Sequence, residues 1–200
     1  MTKLTNLLTF LGLIGILLLF AACGETKTAT ESETPTDTTA TTTTEPVEDK
    51  SARPSPPAVA TANVGGATVT IDYSSPAVKG RTVWGDLVPY GEVWRTGANE
   101  ATTFTADKNV TVNGKALPAG KYGLFSIPQE NGNWTIIFNS VADQWGAYEY
   151  DAAKDVLRVD AKSRALPESA ERLKFDLAAD GKVTLSWEKL AVDFTVAAGS

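Results

Sequence analysis

From residue 67 to residue 196, apolar and polar side chains alternate with a period of two, and no stretch sustains a helical period. Residues 67–73 (ATVTIDY), 121–127 (KYGLFSI), 133–139 (NWTIIFN), 155–161 (DVLRVDA), 171–178 (ERLKFDLA) and 182–189 (KVTLSWEK) each read as a strand. Shorter strands are expected at 92–96, 102–106, 110–112, 115–117 and 193–196. The pairs Asn113-Gly114, Asn131-Gly132 and Asp180-Gly181 are turn signals between them. The alternation assigns three sets to the core: Trp134, Ile136 and Phe138; Leu173, Phe175 and Leu177; Val183, Leu185 and Trp187. About ten short strands, with no room for the crossover helices that a parallel sheet needs, predict an all-β fold over residues 58–200. The expected architecture is an antiparallel β-sandwich or a barrel-like jelly roll.

The chain before this domain has a different pattern. Residues 1–22 read as a lipoprotein signal peptide. A single lysine precedes an apolar run at 7–20, which is shorter than the ~20 residues of a spanning helix. Ala21 and Ala22 then lead to Cys23, with Phe20 standing where leucine is usual. Cleavage before Cys23 and lipid on its sulfur and new amino terminus are the expectation. The plainer reading is a secretory peptide with Cys23 incidental. Residues 23–57, rich in Thr, Pro and acidic side chains, cannot bury enough apolar surface to offset the entropy of ordering. They read as a disordered tether with a reach of about 30 Å. The expected location is therefore the bacterial cell envelope, at the outer membrane, with the membrane as a partner through lipid on Cys23.

Composition removes several classes of function. A net charge of −6 lacks the basic surplus of a nucleic-acid binder. The chain has no histidine and one cysteine. His-containing zinc sites, Ser-His-Asp and Cys-His catalysis and intrachain disulfides are all excluded. With no Asp-rich calcium loop either, neither a metal nor a cofactor is expected.

Candidate chemistry concentrates in residues 88–102, VPYGEVWRTGANEAT. Tyr90 and Trp94 frame Arg95, whose planar guanidinium suits a carboxylate or phosphate, or stacking on an aromatic face. The competing reading is an ion pair of Arg95 with Glu100 or Asp86. Gly97 and Asn99 are expected to take positive φ in a tight corner, which brings Glu100 to a strand start. Glu100 is a weak candidate for a catalytic carboxylate and would need a partner such as Asp86, Asp143, Glu149 or Asp151. A second concentration is 144–151, QWGAYEYD, where Trp145 and Tyr148 could form a platform for a sugar or peptide. Trp84 and Trp94 are candidates for the same wall.

The run VPYGEVWRTGANEAT resembles the hallmark of the bacterial domain of unknown function 2911 family. The similarity continues through 74–81 (SSPAVKGR), 117–127 (LPAGKYGLFSI), 134–139 and 144–159 (QWGAYEYDAAKDVLRV). The resemblance implies exported or lipid-anchored proteins with no established activity.

These readings combine into one expectation. A membrane-tethered lipoprotein carries a β-sandwich that binds a polar ligand (a glycan, peptidoglycan fragment or peptide). The expected contacts are Tyr90, Trp94, Arg95, Asn99, Glu100, Trp145 and Tyr148. A carboxylate-dependent hydrolase centred on Glu100 and a purely structural or assembly module are the alternatives.

Overall fold

The structure is a computed structural model that describes residues 49–199. The expected signal peptide, Cys23 and the tether as far as residue 48 lie outside the described residues. Within them, nine strands form one antiparallel sheet. In chain order they are β1 (Pro57–Val64), β2 (Ala67–Ser74), β3 (Thr103–Ala106), β4 (Val110–Val112), β5 (Lys115–Leu117), β6 (Gly120–Pro128), β7 (Asn133–Asn139), β8 (Asp155–Leu177) and β9 (Lys182–Ala198). Their order across the sheet is β1-β2-β3-β6-β7-β8-β9-β4-β5. The all-β antiparallel expectation holds.

Two differences from the pattern have clear causes. β1, PAVATANV, is an edge strand whose inward positions are mostly alanine, so it carries little apolar signal, yet it pairs with β2 from Pro57↔Ser74 to Val64↔Ala67. Further down the chain, two pairs of expected short strands fuse into the long strands β8 and β9. Their ladder shifts register between Ala165 and Ala170 and again between Ala170 and Lys174. Pro167, which has no N–H to donate, falls in that unpaired interval. In β9 the buried positions run Val183, Leu185 and Trp187, then change phase to Val192, Phe194 and Val196. Glu188, with φ of 52°, marks the change. These irregularities bend the long strands, a recognised role of bulges.

The bend lets one sheet enclose one core. Phe175 on the far half of β8 donates its N–H to the Tyr73 hydroxyl of β2 (3.2 Å), and the two rings meet edge to face at 5.0 Å. β2 and β8 are not neighbours in the sheet, so the contact is across the core. All nine core residues expected from alternation are buried except Leu177, which is half-buried. A smaller apolar cluster lies on the other face of β6 and β7. There Phe125 and Ile137 are covered by Val93 and Ala101 from one loop and Ala147 and Tyr150 from another. Those two loops are the two aromatic-rich stretches of the sequence.

Candidate functional site

The segment 88–102 lies in the long connection from β2 to β3. β3 pairs with β6 only as far as Gly123. The segment takes over the vacated lane: Trp94 and Ser126 exchange two backbone hydrogen bonds (2.8 and 2.9 Å), and Gly91 N–H donates to Pro128 O (2.8 Å). Its corner is tighter than the residue types suggest. Asn99 takes positive φ (58°) as expected, but Thr96 rather than Gly97 is the other left-handed residue (φ 55°). A β-branched residue there carries strain of about 1–3 kcal/mol. Hydrogen bonds offset it: Thr96 Oγ1 meets Ser126 Oγ at 2.9 Å, and Thr102 Oγ1 donates to Thr96 O at 2.9 Å. Gly97 is needed for space, since a Cβ there would sit 2.8 Å from Thr102 Oγ1.

Trp94 does not face a ligand. It is 9 % exposed, donates its indole N–H to Gly97 O and stacks on Trp187 at 5.9 Å. Trp84 packs edge-on against Trp94, Trp134 and Trp187 at 5.2–5.8 Å. Four of the five tryptophans thus form one cluster, and the expected surface role of Trp84 and Trp94 gives way to a core role. The reason is geometric: the bridge to Ser126 fixes the face of β6 on which the Trp94 side chain must lie. Tyr90 is half-buried, with its ring against Gly85.

The two loops do come together. Ala101 N–H donates to Gln144 O (2.9 Å), and Gly146 N–H donates to Asn99 O (3.0 Å), so Glu100 and Trp145 form an antiparallel bridge. Beside this bridge is a cleft of about 520 Å³, walled by Trp145, Gln144, Thr103, Tyr73 and the chain that enters the domain at Lys50 and Arg53. That volume falls in the usual range of small-molecule sites, about 300–1,000 Å³. Trp145 is 56 % exposed, while Thr103 and Gln144 are 8 % and 7 % exposed. Thr103 Oγ1 and Gln144 Oε1 are buried without hydrogen-bond partners, although Gln144 Nε2 donates to Val141 O. A second cleft of about 620 Å³, near Asn133 and Asp193, contains no such unpartnered buried atom.

The cations of the first cleft are paired with carboxylates of the protein. Lys50 Nζ reaches Glu100 Oε1 at 2.8 Å, and Arg53 Nη1 reaches both Glu100 oxygens at 3.0 and 2.9 Å. Lys121 pairs with Asp143. Burial acts to raise the Glu100 carboxyl, but hydrogen bonds from Lys50, its own backbone and Arg53 outweigh it and bring it down to about 2. A carboxylate held that low is a poor proton acceptor at neutral pH. Asn99 serves the same entering chain, its Nδ2 donating to Ser55 O (3.0 Å) and Ser74 Oγ (3.2 Å). The tether expected to run to residue 57 is therefore in contact with the domain from Lys50 onward.

Arg95 makes no ion pair with Glu100 or Asp86. Its guanidinium lies beside Gly146 and Tyr148, with Nε buried and unpartnered. Tyr148 is 83 % exposed. Of the residues expected at the site, Glu100 and Trp145 line the cleft, Asn99 braces its wall, Arg95 and Tyr148 stand at the adjoining loop, and Trp94 and Tyr90 are turned away. Thr103, Gln144, Lys50 and Arg53 are the additions. Gln144 begins the QWGAYEYD run and was within reach of the sequence pattern. Lys50 and Arg53 sit in low-complexity chain and carried no signal.

Neither the curated proteins nor the solved structures yield a match to the chain. A family model described as a protein of unknown function (DUF2911) matches residues 55–196. That span takes in the strained corner, the paired loops and the cleft wall apart from Lys50 and Arg53. With most of its length matched, the chain belongs to the DUF2911 family of proteins of unknown function.

Proposed function

We propose that the domain is a binding module that takes a polar saccharide in the cleft beside Trp145, displayed on the cell envelope by lipid on Cys23. The observation that carries the reading is a cleft with an exposed tryptophan at its rim and two lining residues, Thr103 and Gln144, that each hold a buried polar atom without a partner. Leaving a buried acceptor unsatisfied costs about 1–3 kcal/mol, so a ligand that supplies a donor is favoured there. A sugar ring offers C–H groups to an aromatic face and hydroxyls to an amide oxygen and a hydroxyl, which is the combination present. A peptidoglycan fragment fits through its sugar part, and a peptide finds less use for the aromatic face. The hydrolase reading is weaker, because both Glu100 oxygens are held by Lys50 and Arg53. A structural module without a site gives no account of the cleft or of its two unpartnered groups.

Binding of the full chain to an oligosaccharide array, followed by calorimetry on each hit, tests the reading. Trp145→Ala should abolish binding while the protein stays folded. If no saccharide binds the wild-type chain, the reading fails. For the anchor, Cys23→Ala should abolish incorporation of labelled palmitate and release the protein from the membrane fraction. Labelling that survives the substitution would remove the lipoprotein part.

A further inference from the structure

Arg95 stands apart from the other arginines. Arg53, Arg158 and Arg164 pair with carboxylates, and Arg81 and Arg172 donate to backbone carbonyls. Arg95 has neither an ion pair nor a hydrogen bond to any described residue, and its Nε is withdrawn from water. Burial pushes its pKa down, with Tyr148 acting in the opposite sense. A partly buried cation without an acceptor is costly to keep, and a charged ligand group is the natural complement.

A glycine shapes the loop beside that cation. Gly146, with φ of +66°, brings the loop past Arg95 without a side chain. A Cβ there would meet the Tyr148 ring at 2.9 Å and approach Arg95 Nη1 at 3.6 Å. The glycine thus lets the exposed Tyr148 ring lie beside the guanidinium. An arginine fork next to an exposed tyrosine combines bidentate recognition of a carboxylate with an aromatic surface, and both residue types are enriched where binding energy concentrates. The cleft itself provides no spare cation, since Lys50, Arg53 and Lys121 already face carboxylates. Trp145 and Tyr148 are three residues apart, so their Cα atoms are at most about 11 Å apart. That separation is within the length of one oligosaccharide.

We propose that Arg95 receives the carboxylate of an acidic saccharide, with Tyr148 packing on the same unit and a neighbouring sugar seated in the cleft at Trp145. This rests on the saccharide reading above and specifies its ligand. The test is calorimetry on the full chain with uronic-, sialic- and muramic-acid oligosaccharides, each beside its carboxyl-reduced neutral counterpart, and with a peptide ending in glutamate. At least one acidic oligosaccharide should bind roughly ten- to a hundredfold tighter than its neutral counterpart, as one charge-assisted contact allows. Arg95→Gln should bring that ratio close to one, and Arg95→Lys should restore part of it, because an ammonium keeps the charge but loses the fork. Should Arg95→Gln not fold, Tyr148→Ala and the salt dependence of the wild-type ratio serve instead. The ratio should fall in Tyr148→Ala, and in wild type it should shrink between about 0.05 and 0.5 M salt. Equal affinity for acidic and neutral forms, or a preference that persists in the variants and at high salt, overturns the carboxylate inference and leaves the saccharide reading standing. Binding of no saccharide, or preference for the peptide over every sugar, overturns both.

Discussion

Trp94 and Trp145 look alike in the sequence. Each stands in a glycine-punctuated, aromatic-rich loop, and the two loops pair with each other across the Glu100–Trp145 bridge. Yet Trp94 is 9 % exposed within a cluster of four tryptophans, and Trp145 is 56 % exposed at the rim of a cleft. The same pairing of loops separates the two roles. Backbone hydrogen bonds to Ser126 turn Trp94 inward, whereas the bridge to Glu100 leaves Trp145 at the surface. The arginines divide in a similar way. Arg53 is tied to Glu100 and lies 5.8 Å from the centre of the Trp145 ring, while Arg95 has no acceptor among the described residues. The two aromatic-rich loops thus contain an inner part buried in the fold and an outer part exposed at the surface.

The sharpest test of that division is a pair of truncations. Trp94→Ala should cost about 3–5 kcal/mol of stability, as expected for removing a large buried aromatic. Trp145→Ala should cost less than about 1 kcal/mol. Urea unfolding of both variants checks the contrast, and similar losses for the two would erase it.

The next effect concerns the chain that enters the domain. Glu100→Gln removes the carboxylate that holds Lys50 and Arg53. Because the Glu100 side chain is 38 % exposed, the expected loss is about 1 kcal/mol or less after solvent screening. Its pH dependence has a definite sign. The folded carboxyl is lowered from an ordinary 4.5 to about 2. Its contribution is therefore present above about 4.5 and is lost as pH falls towards 2. The stability difference between wild type and Glu100→Gln should shrink over that window. A constant difference would mean that the charge is not what holds the strap. Proteolysis between residues 49 and 56 should also quicken in the variant.

Smaller still should be the cost of Arg95→Ala. With no partner to lose, its unfolding free energy should lie within about 0.5 kcal/mol of wild type. A loss of several kcal/mol would make Arg95 a folding residue and dissolve the distinction from Arg53. Thr103→Val should be neutral or slightly stabilising, since it removes an unpartnered buried hydroxyl. The same substitution should weaken saccharide binding. Thermal melting and calorimetry on the one variant read both effects.

Much of the fold was legible because strand pairing follows local alternation. The strand 133–139 was placed to the residue, and its face of Trp134, Ile136 and Phe138 is the buried one. β1 was missed because alanines at alternate positions are too weak a signal. The fusion of 155–161 with 171–178 into β8 was missed because a proline and a polar stretch lie between them, and a bulged strand tolerates both. At the candidate site, the sequence singled out the two loops that the structure pairs with each other. It did not separate Trp94 from Trp145, and its competing reading paired Arg95 with Glu100 or Asp86, whereas the guanidinium lies beside Gly146 and Tyr148.

By itself, the sequence determined the antiparallel all-β class, most strand positions, the family and the loops in which costly residues collect. Each of these is a matter of local periodicity or of residue identity. Only the tertiary structure decided which face of each loop turns inward, that Lys50 and Arg53 occupy Glu100, and that Thr103 Oγ1, Gln144 Oε1 and Arg95 Nε are left without partners among the described residues. Those outcomes depend on contacts between residues far apart in the chain, such as Lys50 with Glu100, fifty positions on. A side chain's pairing is set by what the folded chain brings beside it, and no pattern of near neighbours contains that information.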